Sequence, residues 1–280
     1  MPALPDDLTR TVARALEEDV GVGDLTATVV PADRAARATV ITREPAVVCG
    51  GPWFDEVFRQ IDPLVSIEWQ AGECASVDTG ALLCRLAGPA HALLTGERTA
   101  LNFLQTLSGT ATTVRRWVAL VQGTCCRVLD TRKTLPGLRT AQKYAVLCGG
   151  GTNHRIGLYD GILIKENHIL AAGSIAAAVA ATRASGATVP VEVEVESLDE
   201  LRQALDARVD MALLDEFGLD ELRAAAAMNA AHANGPIKLE ASGNITAETL
   251  PAIAATGVDF VSIGALTKHL RAIDLSMRFE

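Results

Sequence analysis

Residues 191–216, VEVEVESLDELRQALDARVDMALLDE, predict a β-strand, an α-helix and a second β-strand in succession. The apolar runs Val191–Val195 and Met211–Leu214 have the length of buried strands. Between them, Leu198–Leu205 has the apolar spacing of a helix. A strand–helix–strand unit joins parallel strands, so we expect a parallel sheet that is covered by helices.

The same alternation extends over the chain from Arg127 onward. Its short apolar runs are Val128–Leu129, Ile162–Ile164, Val191–Val195, Met211–Leu214, Ile237–Leu239 and Phe260–Ile263. Polar or glycine-bearing groups stand at the carboxyl end of these runs: Asp130-Thr131-Arg132-Lys133, Lys165-Glu166, Glu194, Asp215, Ser242-Gly243-Asn244 and Gly264. A parallel barrel brings all its strand ends to one rim, whereas an open sheet uses two or three ends at a switch point. Six such ends favour an α/β barrel of about six strands.

The first half of the chain has a mixed pattern. A helix with Leu8, Val12 and Leu16 on its apolar face precedes a strand at 38–42 and a helix at 53–61. Two further strands are predicted at 65–69 and 81–86, followed by a long helical region at about 89–122. This order indicates an α+β domain with an antiparallel sheet.

Charge and composition exclude several classes of protein. The chain has 25 Lys and Arg against 34 Asp and Glu, a formal net charge of −9, which argues against nucleic-acid or anionic-membrane binding. Its acidic, proline-containing start and the lack of a long apolar stretch predict no signal peptide and no membrane span. The six cysteines form no CxxC pair, so we expect reduced thiols in a cytoplasmic protein.

One segment has the opposite charge to the rest of the chain. Between residues 130 and 168 there are six basic and three acidic residues, which suggests a pocket for a small anion. Ordinary surface ion pairing is the alternative. That alternative is weakened because Lys165 directly follows the apolar run 161–164, where a surface lysine is unexpected.

The strict alternation in residues 191–196 places Glu192, Glu194 and Glu196 on one face of a strand. The side chains of Glu192 and Glu196 could equally well face solvent or the interior of a barrel, and the sequence does not decide between the two. Glu194 near the rim, with Asp215 one strand later, could bind Mg²⁺, although two carboxylates alone are a weak signal. The chain contains no P-loop, Rossmann, HExxH or GxSxG motif.

The segment LDTRKTLPGLRTAQKYAVLCGGGTNHRIGLYDGILIKENHI, residues 129–169, resembles the signature of the quinolinate phosphoribosyltransferase family. Further blocks resemble the family in its order: LEEDVGVGDLT, GERTALNFLQTLSG, VEVEVE, LLDE, SGN and VSIGALTKH. The resemblance implies an N-terminal open-faced α/β sandwich (1–110, with the bridging helix) and an incomplete, about six-stranded α/β barrel (111–280). We expect the C-terminal tail to return to the first domain. The resemblance also implies a homodimer.

The reaction implied is transfer of the phosphoribosyl group of PRPP to the ring nitrogen of quinolinate, followed by decarboxylation. Nicotinate mononucleotide, pyrophosphate and CO₂ are the products, with Mg²⁺ as cofactor. The quinolinate-binding set implied is Thr131, Arg132, His154, Arg155, Lys165 and, from the partner subunit of the dimer, Arg98. The set implied for PRPP and pyrophosphate is Lys133, Glu194, Asp215, Ser242, Gly243, Asn244, Ile263, Gly264, Ala265 and His269. Catalytic roles are implied for Lys133, Lys165, Glu194 and Asp215, and Mg²⁺ binding, direct or through water, for the last two.

The chain departs from the family at one site position, since Glu216 stands where members commonly have Asn. Two other functions stay open. One is phosphoribosyl transfer to nicotinate or a related acid. The other is a Schiff-base lyase, because a lysine such as Lys165 at the end of a barrel strand is also where that nucleophile lies.

Overall fold

The computed structural model describes residues 1–31 and 33–280, which form two units that interleave along the sequence. The first unit comprises Met1–Arg115, Lys133–Gly150 and Ala265–Glu280, and the second Arg116–Arg132 and Gly151–Gly264. This division differs from two consecutive domains at 1–110 and 111–280. Three segments of the expected barrel range, 111–115, 133–150 and 265–280, belong to the first unit, and the last of these is the tail that was expected to return to the first domain.

The strands are β1 (Ala35–Thr42), β2 (Ala46–Val47), β3 (Ser66–Trp69), β4 (Ser76–Val77), β5 (Leu82–Pro89), β6 (Arg127–Leu129), β7 (Ile162–Ile164), β8 (Val191–Val195), β9 (Met211–Asp215), β10 (Lys238–Ser242), β11 (Phe260–Ser262) and β12 (Leu275–Phe279). The α-helices are α1 (Leu8–Val20), α2 (Gly51–Ile61), α3 (Ala90–Ala119), α4 (Arg139–Cys148), α5 (Glu166–Ala172), α6 (Ile175–Ala184), α7 (Leu198–Asp206), α8 (Leu219–Ala231), α9 (Leu250–Ala254) and α10 (Ala265–Lys268). A short 3₁₀ helix spans Ala27–Val29. Within the described residues, no helix has both the length and the apolar character needed to cross a bilayer.

The first unit is built on an antiparallel sheet with the strand order β12-β1-β5-β3. The C-terminal tail supplies β12, in which Met277 pairs with Val40 of β1. The aromatic side chains of α2, Trp53, Phe54 and Phe58, are buried in the core of this unit. Three large aromatic groups from one helix thus contribute to this core.

Helix α3 packs closely against its neighbours in the first unit. A Cβ atom placed on Gly109 would lie 2.3 Å from the carbonyl oxygen of Arg271. A Cβ atom on Gly96 would lie 2.6 Å from the ring of Phe58. The two glycines therefore allow the helix to approach atoms that any larger residue would displace.

The second unit is a parallel sheet with the strand order β6-β11-β10-β9-β8-β7. Strand β6, the first of the six along the chain, pairs with β11, the last. Each of the other pairs joins two strands that are consecutive in the chain. This is the cyclic order of an α/β barrel, with β6 and β7 left at the two edges of the sheet in the described residues. The antiparallel sheet and the six-stranded parallel sheet confirm the predicted fold class.

Residues 191–216 form the predicted strand–helix–strand unit. Ser197, two residues after the end of β8, caps α7, because its side chain accepts a hydrogen bond from the backbone N–H of Glu200. Leu201 and Leu205, one turn apart on α7, are buried. Strand β9 then pairs with β8 along Glu192–Val195.

Candidate active site

The carboxyl ends of the parallel strands carry the first group of candidate residues. Lys165 directly follows β7, Glu194 is the penultimate residue of β8, and Asp215 ends β9. The Lys165 ammonium group forms an ion pair with the Glu194 carboxylate. Lys165 is exposed and Glu194 is largely covered, so the pair lies at the rim with the carboxylate on the inner side. The structure therefore brings together two residues that the sequence predicted for one site.

The two rim carboxylates influence each other. Burial raises the pKa of Glu194, Lys165 opposes that shift, and the negative charge of Asp215 adds to it. A cation bound here would relieve the repulsion, and carboxylate oxygens are the donors that Mg²⁺ prefers. Glu194 and Asp215 thus fit a Mg²⁺ ion by the chemistry of their donor atoms.

The loop after β10 contains the predicted Ser242-Gly243-Asn244 turn. Gly243 has φ +98°, and a Cβ atom there would lie 2.7 Å from the side chain of Glu216. The Glu216 backbone N–H donates to the Ser242 carbonyl (3.0 Å), and the Asn244 side chain donates to the Glu216 carboxylate (3.0 Å). The acid that departs from the family pattern therefore holds this glycine turn in place. Glycine is required there by both the positive φ and the close approach.

His154 forms a second cluster with Glu192 and Glu240, which belong to strands of the parallel sheet of the second unit. The His154 Nε2 lies 2.8 Å from a Glu192 carboxylate oxygen and 3.4 Å from one of Glu240. Both glutamates are buried, at 4% and 1% exposure, so the interior alternative is the right one for Glu192. Buried carboxylates need a cationic or hydrogen-bonding partner, and the imidazole supplies one.

The pKa values of this cluster follow from burial and charge. Burial acts to lower the pKa of His154, but Glu192 and Glu240 outweigh it and raise that pKa to about 10. Burial raises the pKa of Glu192 to about 7, with the Glu240 charge acting in the same direction and His154 against it. In the neutral ring the Arg155 backbone N–H donates to the His154 Nδ1 (2.8 Å) and the proton lies on Nε2, toward Glu192, whereas protonation of Nδ1 would break this hydrogen bond. Both ring nitrogens thus contact protein groups.

The loop that carries His154 and Arg155 is fixed by two acids. The buried Asp130 accepts a hydrogen bond from the backbone N–H of His154 (2.9 Å). Asp160 accepts from the N–H groups of Ile156 (2.7 Å) and Gly157 (2.8 Å). These bonds hold the segment in one conformation although it contains no helix or strand.

Arg155 and Arg132 provide positive charge near the same place. Arg155 donates to the carbonyl of Gly161 (3.1 Å). Burial lowers its pKa, and the nearby charge of Arg132 lowers it further. Glu192 and Asp160 oppose both shifts. Two neighbouring guanidinium groups have the charge and geometry to bind a dianion.

The cavity beside this loop lies near the opposite ends of the strands from Lys165. Its volume is about 190 Å³, and His154, Arg155 and Glu192 line it together with Met211 and Phe260, which begin β9 and β11. Lys165 is not among the residues that line it. The predicted quinolinate-binding residues of the second unit therefore lie in two neighbourhoods of this unit in the present structure.

The remaining candidates are divided between the two units. Arg98 is an exposed residue of α3. The Lys133 carbonyl accepts a hydrogen bond from the Thr267 hydroxyl (2.8 Å), which ties Lys133 to the helix that begins at Ala265. His269 follows that helix and is exposed. Thr131, Ile263 and Gly264 lie in the second unit, at or beyond the ends of β6 and β11.

Sequence reasoning missed Asp130 and Glu240 as functional partners of His154. The alternation in VEVEVE did indicate that Glu192 and Glu194 share a face. Glu240 stands alone in the short strand KLEAS, where a single acid gives no alternating pattern. An acid in the middle of an otherwise buried strand was the available signal.

Comparisons with known proteins agree over nearly the whole chain. The model of the quinolinate phosphoribosyl transferase N-terminal domain matches residues 24–108, and that of the C-terminal domain matches residues 110–278. A probable nicotinate-nucleotide pyrophosphorylase (carboxylating) of Bacillus subtilis is 42% identical over 93% of this chain and 89% of its own length. The nicotinate-nucleotide pyrophosphorylase (carboxylating) of Mycobacterium leprae is 39% identical over 95% of each chain.

The solved structures give the same result. The nicotinate-nucleotide pyrophosphorylase of Francisella tularensis has a TM-score of 0.94 and 46% identity, covering 99% of this chain and 98% of that one. Two family models together match most of the chain, and relatives more than 30% identical cover nearly all of it. Both findings confirm the resemblance that the motifs indicated. The chain belongs to the quinolinate phosphoribosyltransferase family.

Proposed function

We propose that this protein transfers the phosphoribosyl group of PRPP to the ring nitrogen of quinolinate and releases CO₂, giving nicotinate mononucleotide and pyrophosphate. The observation that carries the proposal is the rim of the second unit, where Lys165, Glu194 and Asp215 stand at the ends of consecutive strands. The names of the relatives, nicotinate-nucleotide pyrophosphorylase (carboxylating), describe the same reaction.

Quinolinate carries two adjacent carboxylates, and the basic residues match that charge. Arg132 and Arg155 bind one carboxylate through planar guanidinium forks, with Thr131 as a hydroxyl donor. Lys165 adds a point charge. His154 contributes positive charge from the cluster with Glu192 and Glu240, which favours its protonated form.

The opposite side of the reaction centre binds PRPP. We assign Lys133 and His269 to the phosphate and pyrophosphate oxygens, because both are exposed cations or donors in family blocks. The Ser242-Gly243-Asn244 turn and residues 263–265 offer backbone N–H groups to phosphate. Mg²⁺ held by Glu194 and Asp215, directly or through water, would neutralise charge on the departing pyrophosphate. The same two carboxylates stabilise positive charge that develops on the ribose.

Loss of CO₂ then requires no nucleophile from the protein. Once the ring nitrogen carries the ribose it is positively charged, and it accepts the electron pair left by the departing carboxylate. The cationic groups that held this carboxylate orient the ring during the step.

We further propose a homodimer in which Arg98 completes the site of the neighbouring subunit. The exposure of Arg98 on α3 is compatible with that role. The six cysteines form no disulfide, which supports activity in a reducing cytoplasm.

A lyase that forms a Schiff base on Lys165 is the less favoured function. A nucleophilic amine must be uncharged, whereas the Lys165 ammonium is paired with Glu194. Borohydride reduction in the presence of a carbonyl substrate should therefore leave no adduct on Lys165.

The experiment that tests the proposal compares two acids. We expect kcat/KM at saturating Mg²⁺ and PRPP to be about a hundredfold or more higher for quinolinate than for nicotinate, because nicotinate leaves part of the cationic cluster unpaired. Phthalate, which has both carboxylates but no ring nitrogen, should compete with quinolinate. Equal efficiency with nicotinate would contradict the assignment of quinolinate.

A further inference from the structure

The first unit contains a cluster of sulfur and oxygen donors that the proposed reaction does not use. The Cys49 and Cys148 sulfurs and a Glu73 carboxylate oxygen all lie within 4.8 Å of one another. Both cysteines are buried, with 0% and 2% exposure. Cys74, adjacent to Glu73, is half-buried, and its thiol faces that of Cys148. The donors come from the segment before α2, the turn before β4 and the end of α4.

Backbone hydrogen bonds fix these three segments without using the sulfur atoms. The Cys49 N–H donates to the Ser108 hydroxyl (3.0 Å), which in turn donates to the Cys49 carbonyl (3.0 Å). The Cys74 N–H donates to the Val48 carbonyl (2.8 Å). Arg115 donates to the carbonyls of Cys148 (3.1 Å) and Gly149 (3.0 Å). The donor atoms are therefore held in place by the fold.

Glu73 is turned into the cluster by the start of α2. Its two carboxylate oxygens accept hydrogen bonds from the backbone N–H groups of Gly50 (2.8 Å) and Gly51 (3.0 Å). Each oxygen retains a lone pair for another partner. The helix N-terminus and the Arg115 guanidinium also provide positive charge beside a group of potential anions.

Tyr144 borders the cluster. It lies one turn before Cys148 on α4 and is 2% exposed. Its buried hydroxyl faces the Glu73 carboxylate and the Cys148 sulfur. Burial raises the pKa of Tyr144 and the Glu73 charge acts in the same direction, so the hydroxyl stays protonated and remains a donor. A metal-bound thiolate is a strong acceptor for such a donor.

We propose that Cys49, Cys148 and Glu73 bind a thiophilic divalent cation of the Zn²⁺ class, with Cys74 as the fourth donor. Zinc prefers four-coordinate sites of thiolate, imidazole and carboxylate ligands. Zinc–sulfur bonds of about 2.3 Å place two thiolates about 3.8 Å apart, so a small closure of the cluster suffices. Binding releases the thiol protons to solvent. The site is structural, since it joins α2, α4 and the turn before β4 with no open position.

The test measures metal binding by the reduced full-length protein and does not depend on transferase activity. After treatment with a chelator and a reductant, the protein is titrated with Co²⁺ and then with Zn²⁺. We expect one Co²⁺ per chain with a sulfur-to-metal charge-transfer band, displaced by one Zn²⁺, and a higher Tm with Zn²⁺ than with chelator. Cys49→Ser and Cys148→Ser should lose the band and the Tm shift. Cys84→Ser, which alters another buried thiol of the same unit, should retain both.

A second measurement on the unaltered protein covers the case in which the variants do not fold. Alkylation in a urea concentration that lets the buried thiols react, followed by peptide mass spectrometry, should show that Zn²⁺ slows the reaction of Cys49, Cys74 and Cys148 but not that of the exposed Cys125. Absence of stoichiometric binding, binding unaffected by both serine variants, or Zn²⁺ protection that omits Cys49 and Cys148 would overturn the proposal. So would an intramolecular disulfide between these cysteines in protein isolated without oxygen.

Discussion

His154 shows how one side chain can make two buried acids tolerable. Its Nε2 lies between carboxylate oxygens of Glu192 and Glu240, inside a parallel sheet where neither acid reaches water. The imidazole is stabilised in its protonated form by both negative charges. The proton and the acids therefore depend on one another, and changing any member changes the ionisation of the rest.

Replacement of Glu192 by Gln is expected to lower the pKa of His154 by about 1 to 3 pH units, because one of two nearby negative charges is removed. The measurement is an NMR titration of the histidine ring signals. The ring signals of His232, which pairs with the exposed Asp206 and not with Glu192, serve as an internal reference. An unchanged midpoint for His154 would show that Glu192 does not hold the proton.

The same cluster makes stability depend on pH. The pKa of His154 in the folded chain, about 10, exceeds its ordinary value of 6.5. Its contribution to the free energy of unfolding is thus fully present below about pH 6.5 and is lost as the pH rises through about 10. Urea unfolding should show the wild type losing stability across that window more steeply than the Glu192→Gln variant. Parallel curves for the two proteins would contradict this account.

Asp215 belongs to the proposed metal and PRPP side of the site. Asp215→Ala is expected to reduce turnover or PRPP binding by about a hundredfold while quinolinate binding changes little. Calorimetric titration with each ligand separates the two effects, and circular dichroism checks the fold. Equal weakening of both ligands in a folded protein would contradict the division of the site.

Candidate site residues could be predicted from the sequence where they stand at the carboxyl end of an apolar run. Lys165, Glu194 and Asp215 stand at strand ends, and the order of apolar runs was enough to find them. The setting of Glu192 could not be decided, because a strand with three alternating acids fits a solvent face and a barrel interior equally well. The Cys49, Glu73 and Cys148 cluster has no local signal, since its members lie on segments far apart in the chain.

At the scale of elements, helix α3 depends on close approach at Gly109. We expect Gly109→Ala to destabilise the protein by about 1–3 kcal/mol, because the added methyl group would meet the Arg271 carbonyl at 2.3 Å. This cost exceeds the gain of about 1 kcal/mol that alanine brings to a helix interior. Urea unfolding measures the difference.

Gly72→Ala is the matched control in the same unit. A Cβ atom there meets no atom within 4 Å, so the change should stay within about 0.5 kcal/mol of the wild type. If Gly109→Ala were as stable as this control, the segment around Arg271 would have to move away from α3 at no cost.

Amphipathic helices and short apolar strands were predictable from the sequence, whereas the buried helix α4 was not. The long helix expected at about 89–122 is α3, Ala90–Ala119, and the apolar runs of the second half are strands. Helix α4 was not predicted. Residues 141–146 are all buried, including Gln142 and Lys143, so the helix has no polar face to reveal its period.

At the scale of the whole molecule, the proposed dimer can be tested by exchanging subunits. Homodimers of Arg98→Ala and of Lys165→Ala should each be nearly inactive. A mixed dimer should regain one working site, because the barrel that keeps Lys165 receives Arg98 from the other subunit. The measurement is activity after the two proteins are mixed and exchange is verified by mass spectrometry.

The control for this experiment mixes Lys165→Ala with Glu194→Ala. Both changes affect the same unit, so each mixed dimer keeps two defective sites and no activity should return. Failure of the first mixture to recover, with exchange verified, would rule out a site shared between subunits.

Because β12 pairs with β1, the ribosome must deliver residues 275–279 before the antiparallel sheet of the first unit can be completed. More than 200 residues separate the two strands, which at 5–20 residues per second corresponds to roughly ten to fifty seconds of translation. All strands of the parallel sheet emerge earlier. During that interval β1 lacks one of its two partner strands, and an unpaired strand edge is the kind of surface on which another nascent chain can pair. The sheet that is translated first is completed only by the last strand of the chain.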